Sequence, residues 1–158
     1  MSMQTANKAA GELEIEVPLT SERALSSEWL GMALGAEVSG VELTENIKTV
    51  ATKLRFSAVV DGQREHFCLK ALLDTDEAGR MGGSTCVLEG NFYSQVAPTL
   101  GVRVPECLVA VVDRKAQQGA IIMRDLIVDG ARFCSALEPF DADDAAIGRI
   151  GAEHLLDR

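Results

Sequence analysis

The sequence predicts an α+β domain built on an antiparallel sheet, and three observations carry that prediction. Residues Thr49 to Val60 alternate apolar Leu54, Phe56 and Ala58 with polar Lys53, Arg55 and Ser57, the two-residue period of a half-buried strand. An Asp61-Gly62 step, alone or in a turn that extends to Arg64, then joins this run to a second β-like run, Glu65 to Leu73, which is a hairpin signal because both residue types tolerate positive φ. Farther on, Val87, Leu88, Phe92, Val96 and Leu100 recur at the spacing of one helix face.

Taken in order, residues 1 to 14 are polar and aperiodic and predict a mobile N-terminal segment; the domain is expected over 15 to 158. Ser26 is placed to cap a short amphipathic helix with Glu28 in its first turn, Trp29, Leu30, Ala33 and Leu34 on its apolar side, and Gly35 as its stop. Glu37 to Leu43 precedes the two hairpin strands as a first strand, with a polar turn over Glu45 to Ala51. Asp74 to Gly83 is a glycine-bearing connector, and Thr85 to Leu100 is a helix that Gly90 interrupts little. Pro105 keeps Val102 to Val104 extended. Cys107 to Val112 and Ala120 to Met123 are β-branched runs around the polar stretch Asp113 to Gly119, a second hairpin. After an irregular stretch, Asp141, Asp143 and Asp144 open a C-terminal helix, where acidic residues suit the positive helix pole better than they mark a metal site.

Composition narrows the function classes. With 158 residues, 47% hydrophobic and 25% charged, the chain is long enough for a sizeable core without metal or disulfide staples. Fifteen basic residues against 24 acidic ones give a net charge of −9, which repels nucleic-acid backbones and anionic membranes. Cys68, Cys86, Cys107 and Cys134 contain no C-x-x-C pair and read as reduced thiols; with no signal-length apolar stretch at the N-terminus, a cytoplasmic location is expected. His66 and His154 have no partners at metal-ligand or catalytic spacing.

Lys70 is the most informative residue, because it stands in the middle of the apolar run His66-Phe-Cys-Leu-Lys-Ala-Leu-Leu73. A buried ammonium requires a carboxylate or an anionic ligand, and Glu89 on the following helix, between Leu88 and Phe92, is the natural partner. The other reading has the lysine stem running past Cys68 and Leu72 to water.

The blocks E-W-L, H-F-C-L-K-A-L, E-G-N-F-Y-S-Q-V-A-P, V-R-V-P-E-C and I-I-M-R-D-L resemble successive blocks of the aminoglycoside-phosphotransferase superfamily, particularly its ecdysteroid-kinase-like branch, over residues 17 to 156. The resemblance implies a protein-kinase-like N-lobe: a five-stranded antiparallel sheet with one helix inserted after the third strand, plus an N-terminal helix and a C-terminal linker helix. It also implies ATP as ligand, with Lys70 on the α- and β-phosphates, Glu89 holding Lys70, and backbone groups of Met123, Arg124, Asp125 and Leu126 facing the adenine. The turn after the first strand has no glycine, so phosphate contacts there fall to the side chains of Asn46, Lys48 or Thr49. Arg124 stands where the relatives often carry an acidic residue. No H-G-D-x-x-x-x-N block and no later metal-binding aspartate block follow, so the chain reads as a truncated N-lobe, inactive alone, whose Mg²⁺ ligands belong to a C-terminal lobe. The rival reading is a non-catalytic protein-interaction module that retains the fold. In either case an apolar face made by Ile121, Met123, Leu126 and Ile127 with Ile147, Ile150 and Leu155 is expected to seek a C-lobe or a second copy.

Overall fold

The computed structural model describes residues 15–76, 78–101 and 104–131. The segment 1–14, Cys134, the helix expected from Asp141, and Ile147, Ile150, His154 and Leu155 lie outside those residues. Two short helices open the described chain: α1 (Ser21–Ala24), capped by the Thr20 hydroxyl, and α2 (Ser27–Leu34), capped by the Ser26 hydroxyl accepting from Trp29 N and ended by Gly35 at φ 65°. The cap and stop of α2 are those the sequence predicts. At four residues, α1 is too short to show a period, which is why the sequence does not announce it.

Five strands follow: β1 (Val38–Lys48), β2 (Thr52–Val60), β3 (Gln63–Ala71), β4 (Cys107–Asp113) and β5 (Gln118–Arg124). They form one antiparallel sheet in the order β1-β2-β3-β5-β4. Asp61 and Gly62, at φ 47° and 84°, make the two-residue turn of the first hairpin and fix Val60 opposite Gln63. Counting back from that turn sets the whole β2–β3 register, including Arg55 opposite Cys68 and Lys53 opposite Lys70. Between β3 and β4 the chain runs through successive helical turns: a 3₁₀ turn (Gly79–Gly82), α3 (Gly83–Asn91), a π turn (Phe92–Val96) and a final 3₁₀ turn (Ala97–Thr99). The helical stretch thus begins six residues before the predicted Thr85, since glycines at 79, 82 and 83 weaken the sequence signal without preventing the turns.

The sheet has two unlike faces. On one, Leu54, Phe56, Ala58, Phe67, Leu69, Ala71, Ala120 and Ile122 pack with Trp29, Leu30 and Ala33 of α2 into the main core. Trp29 is fully buried there, and its indole N–H donates to the Glu16 carbonyl at 2.8 Å, so the segment before α1 is pinned over the core. On the other face, among the described residues, α3 lies chiefly on the β4–β5 hairpin, with Cys86 also joining Ala51 and Leu72. It approaches so closely that a Cβ on Gly119 would lie 2.5 Å from the Cys86 carbonyl oxygen, and one on Gly90 2.5 Å from Val112 Cγ2. Ile121 is consequently buried beneath α3 and contributes nothing to an exposed apolar face; Met123 and Leu126 are half-buried, and Ile127 is the exposed one among these four described residues. Among the described residues, no helix is long and apolar enough to cross a membrane.

Candidate functional site

The sheet face beside α3, which no other described element covers, holds the candidate site. β3 alternates as a strand must, sending Phe67, Leu69 and Ala71 into the main core and His66, Cys68 and Lys70 to the α3 face. Lys70 is therefore half-buried, not sealed within an apolar strand as its neighbours in sequence suggest. Its Nζ lies 2.7 Å from Glu89 Oε2 and 2.9 Å from Oε1, so the ammonium bridges both oxygens of the carboxylate expected from the sequence. The side chains are 24% and 25% exposed, so the ion pair is half-buried and part of it meets solvent. Leu88, which the helical spacing groups with Val87 and Phe92, points outward at 69% exposure. α3 is held on the sheet through Gly83, Cys86, Val87 and Gly90.

A second ionic group occupies the next row of the same face. Arg55 donates through Nε to Asp125 at 3.0 Å and 3.3 Å and through Nη2 at 3.0 Å, while its Nη1 meets Glu45 at 2.7 Å. Asp125 is 4% exposed and also accepts from the Ile127 backbone N–H, so the first turn after β5 is tied to β2. The two carboxylates, Asp125 foremost, hold the Arg55 pKa above its ordinary value. Neither Arg55 nor Glu45 is singled out by the sequence, because their partnership with Asp125 exists only once β2, β3 and β5 lie side by side. The alternation of β2 does place Arg55 on a polar face.

The other residues drawn from the resemblance are distributed unequally. Met123 stands opposite Cys68, on the Lys70 face. Arg124 is on the reverse face, over the Phe67 ring at 5.8 Å and paired with Glu65 and, at 3.6 Å, Glu106. Leu126 lies in the turn after β5, where its carbonyl accepts from Ala131 N at 2.9 Å. The expected polar turn over 45–51 is shorter in the structure, since β1 runs on to Lys48. Asn46 is opposite core-facing Leu54 and Lys48 opposite Thr52, so both project from the face opposite to Lys70. Thr49 spends its hydroxyl on the Ala51 carbonyl at 2.8 Å. In their place the register brings Ile47 and Lys53 to the Lys70 face.

The thiols around the site are held in the neutral form. Burial raises the pKa of Cys68 and of Cys86, and pushes Cys107 up to about 11, the Val109 backbone acting in the opposite sense and Glu89 adding a little to the rise. Among the described residues no group of three or more His, Cys, Asp or Glu is arranged to hold a metal ion.

No protein-family model, curated protein or solved structure matches this chain.

Proposed function

We propose that this chain is a protein-kinase-like N-lobe that holds the phosphates of ATP for a small-molecule phosphotransferase. The observation that carries the proposal is the Lys70–Glu89 pair, a half-open ammonium on the third strand steadied by a carboxylate on the one helix between β3 and β4. A lysine ammonium so placed meets anionic oxygens at fixed orientation, while its carboxylate partner prevents the stem from swinging to water. The resemblance of the H-F-C-L-K-A-L and I-I-M-R-D-L blocks to the aminoglycoside-phosphotransferase superfamily supports the same reading and supplies the reaction class, transfer of a γ-phosphoryl group to an acceptor hydroxyl. Met123, opposite Cys68 on the Lys70 face, supports the same reading as a side chain that would border the base.

Transfer itself needs a base for the acceptor proton and ligands for Mg²⁺. The described residues offer no set that fits the metal, and Lys70 and Glu89 bind and orient phosphate. Calorimetric titration of the 158-residue chain with ATP and ADP, with and without Mg²⁺, tests the proposal. Lys70→Ala removes a charge-assisted contact worth about 1.5–3 kcal/mol and is expected to weaken ATP tenfold or more. ATP binding that Lys70→Ala and Glu89→Ala both leave unchanged overturns it.

A further inference from the structure

The β2–β3 register sets two lysines directly opposite each other on the open face, Lys53 and Lys70. Directly opposed residues in an antiparallel pair hold their Cβ atoms about 4.5–5.5 Å apart, and like charges there repel. Lys70 has Glu89. Lys53 is half-buried, is flanked across β1 by apolar Ile47, and forms no ion pair among the described residues. The nearest carboxylates of the adjoining row, Glu45 and Asp125, are both engaged by Arg55. The next row of the same face sets Arg55 opposite Cys68, so Lys53, Arg55 and Lys70 stand on two successive rows of one sheet face. Among the described residues, the row of Lys53 and Lys70 therefore carries one positive charge more than its carboxylate balances, and the row of Arg55 one negative charge more than its guanidinium balances. An anionic group is drawn to the first row and turned away from the second.

We infer that Lys53 and Lys70 together form a two-ammonium cradle for a polyphosphate tail, with Lys53 supplying from a strand the phosphate contact that a glycine-free β1–β2 turn does not offer through its backbone. The inference rests on the nucleotide reading for the identity of the ligand, while the cradle chemistry is shared by any linear polyphosphate. Bound phosphate removes the repulsion between the lysines, so Lys53 destabilises the free chain and strengthens the complex. A lysine kept for structure does the reverse.

The test uses the full chain, titrated at low salt with ATP, adenosine and inorganic tripolyphosphate. Lys53→Gln keeps a polar side chain, one atom shorter, and removes the charge. It is expected to weaken ATP and tripolyphosphate about tenfold, to leave adenosine unchanged, and to raise the Tm of the free chain by about 1–3 °C. Lys53→Arg is expected to restore both polyanions to within about threefold. ATP affinity that falls with Lys70→Gln but not with Lys53→Gln overturns the cradle and leaves the nucleotide reading standing. Lys53-dependent binding of tripolyphosphate with ATP no tighter keeps the cradle and removes the nucleotide. A lower Tm for Lys53→Gln that Lys53→Arg does not repair makes the residue structural and overturns the inference, and a wild-type chain that binds neither polyanion overturns both.

Discussion

At Arg55 a single guanidinium serves two carboxylates of unlike burial, and the difference fixes how its loss is felt. Asp125, 4% exposed, keeps only the Ile127 N–H when the arginine is removed, whereas Glu45 turns to water. Arg55→Met should therefore cost on the order of 3 kcal/mol in urea unfolding, the cost of stranding a buried charge. Asp125→Asn should cost less, because Arg55 retains Glu45 and the amide oxygen still accepts from Ile127. Equal losses would mean that the buried aspartate is not what the arginine stabilises. Cys107 makes a second prediction at this scale, through pH. Its folded pKa of about 11 lies above the ordinary thiol value of 9.0, so between those limits the folded chain holds a proton that the unfolded chain releases. The thiol's contribution to stability is complete below pH 9 and falls as pH rises towards 11. Cys107→Ala should flatten the decline of Tm over that window, and a variant that declines as steeply as the parent assigns the effect to other groups, Cys68 and Cys86 included.

At the scale of elements, the position of Glu89 depends on how closely α3 lies on the β4–β5 hairpin. Gly119 faces the Cys86 backbone carbonyl, which cannot turn aside, while Gly90 faces one methyl of Val112, which has other rotamers. Gly119→Ala should consequently destabilise by about 1–3 kcal/mol and lift the helix enough to loosen the Lys70–Glu89 pair. Gly90→Ala should cost less in denaturant melts and leave ATP affinity closer to that of the parent, and the opposite ranking would show that the backbone contact at Gly119 is not limiting. What the sequence reveals at this scale follows from how local each signal is. The α2 cap at Ser26, the Asp61-Gly62 turn and the alternation of β2 are written within a few residues, and the structure repeats them. The Lys53–Lys70 opposition follows only once the turn is held to two residues, since a turn reaching Arg64 would set Lys53 opposite Leu72. The Arg55–Asp125 pair is not legible, since its members are 70 positions apart and meet only through β5 inserting between β3 and β4. The reach of β1 to Lys48 is hidden for a related reason: the bulge between Leu43 and Glu45 shifts its alternation, so Asn46 and Lys48 fall on the face that a simple turn would not give them.

For the whole molecule, the sheet separates a packed side from a charged one, and the chain has one tryptophan to report on both. Trp29 lies in the main core, which is continuous from α2 through β2, β3 and β5. The ionic rows of Lys53, Lys70 and Arg55 are on the reverse face, so a ligand there touches no atom of the indole environment. Occupation of the charged face should therefore leave native Trp29 emission unaltered. It should nevertheless raise the temperature at which that emission shifts, because a ligand that binds only the folded chain stabilises every cooperatively folded part of it. At a free concentration one hundred times the dissociation constant the gain is about 2.7 kcal/mol, independent of where the ligand sits. Trp29 fluorescence and far-ultraviolet circular dichroism should then melt together, with and without ATP, and the common midpoint should climb with the logarithm of ligand concentration. A native spectrum that changes on adding ATP would place the ligand against the α2 face. Two midpoints, with only the circular dichroism transition moved by ATP, would mean that α3 and its hairpin unfold separately from the main core, and that the Lys70–Glu89 pair is set by a unit smaller than the sheet.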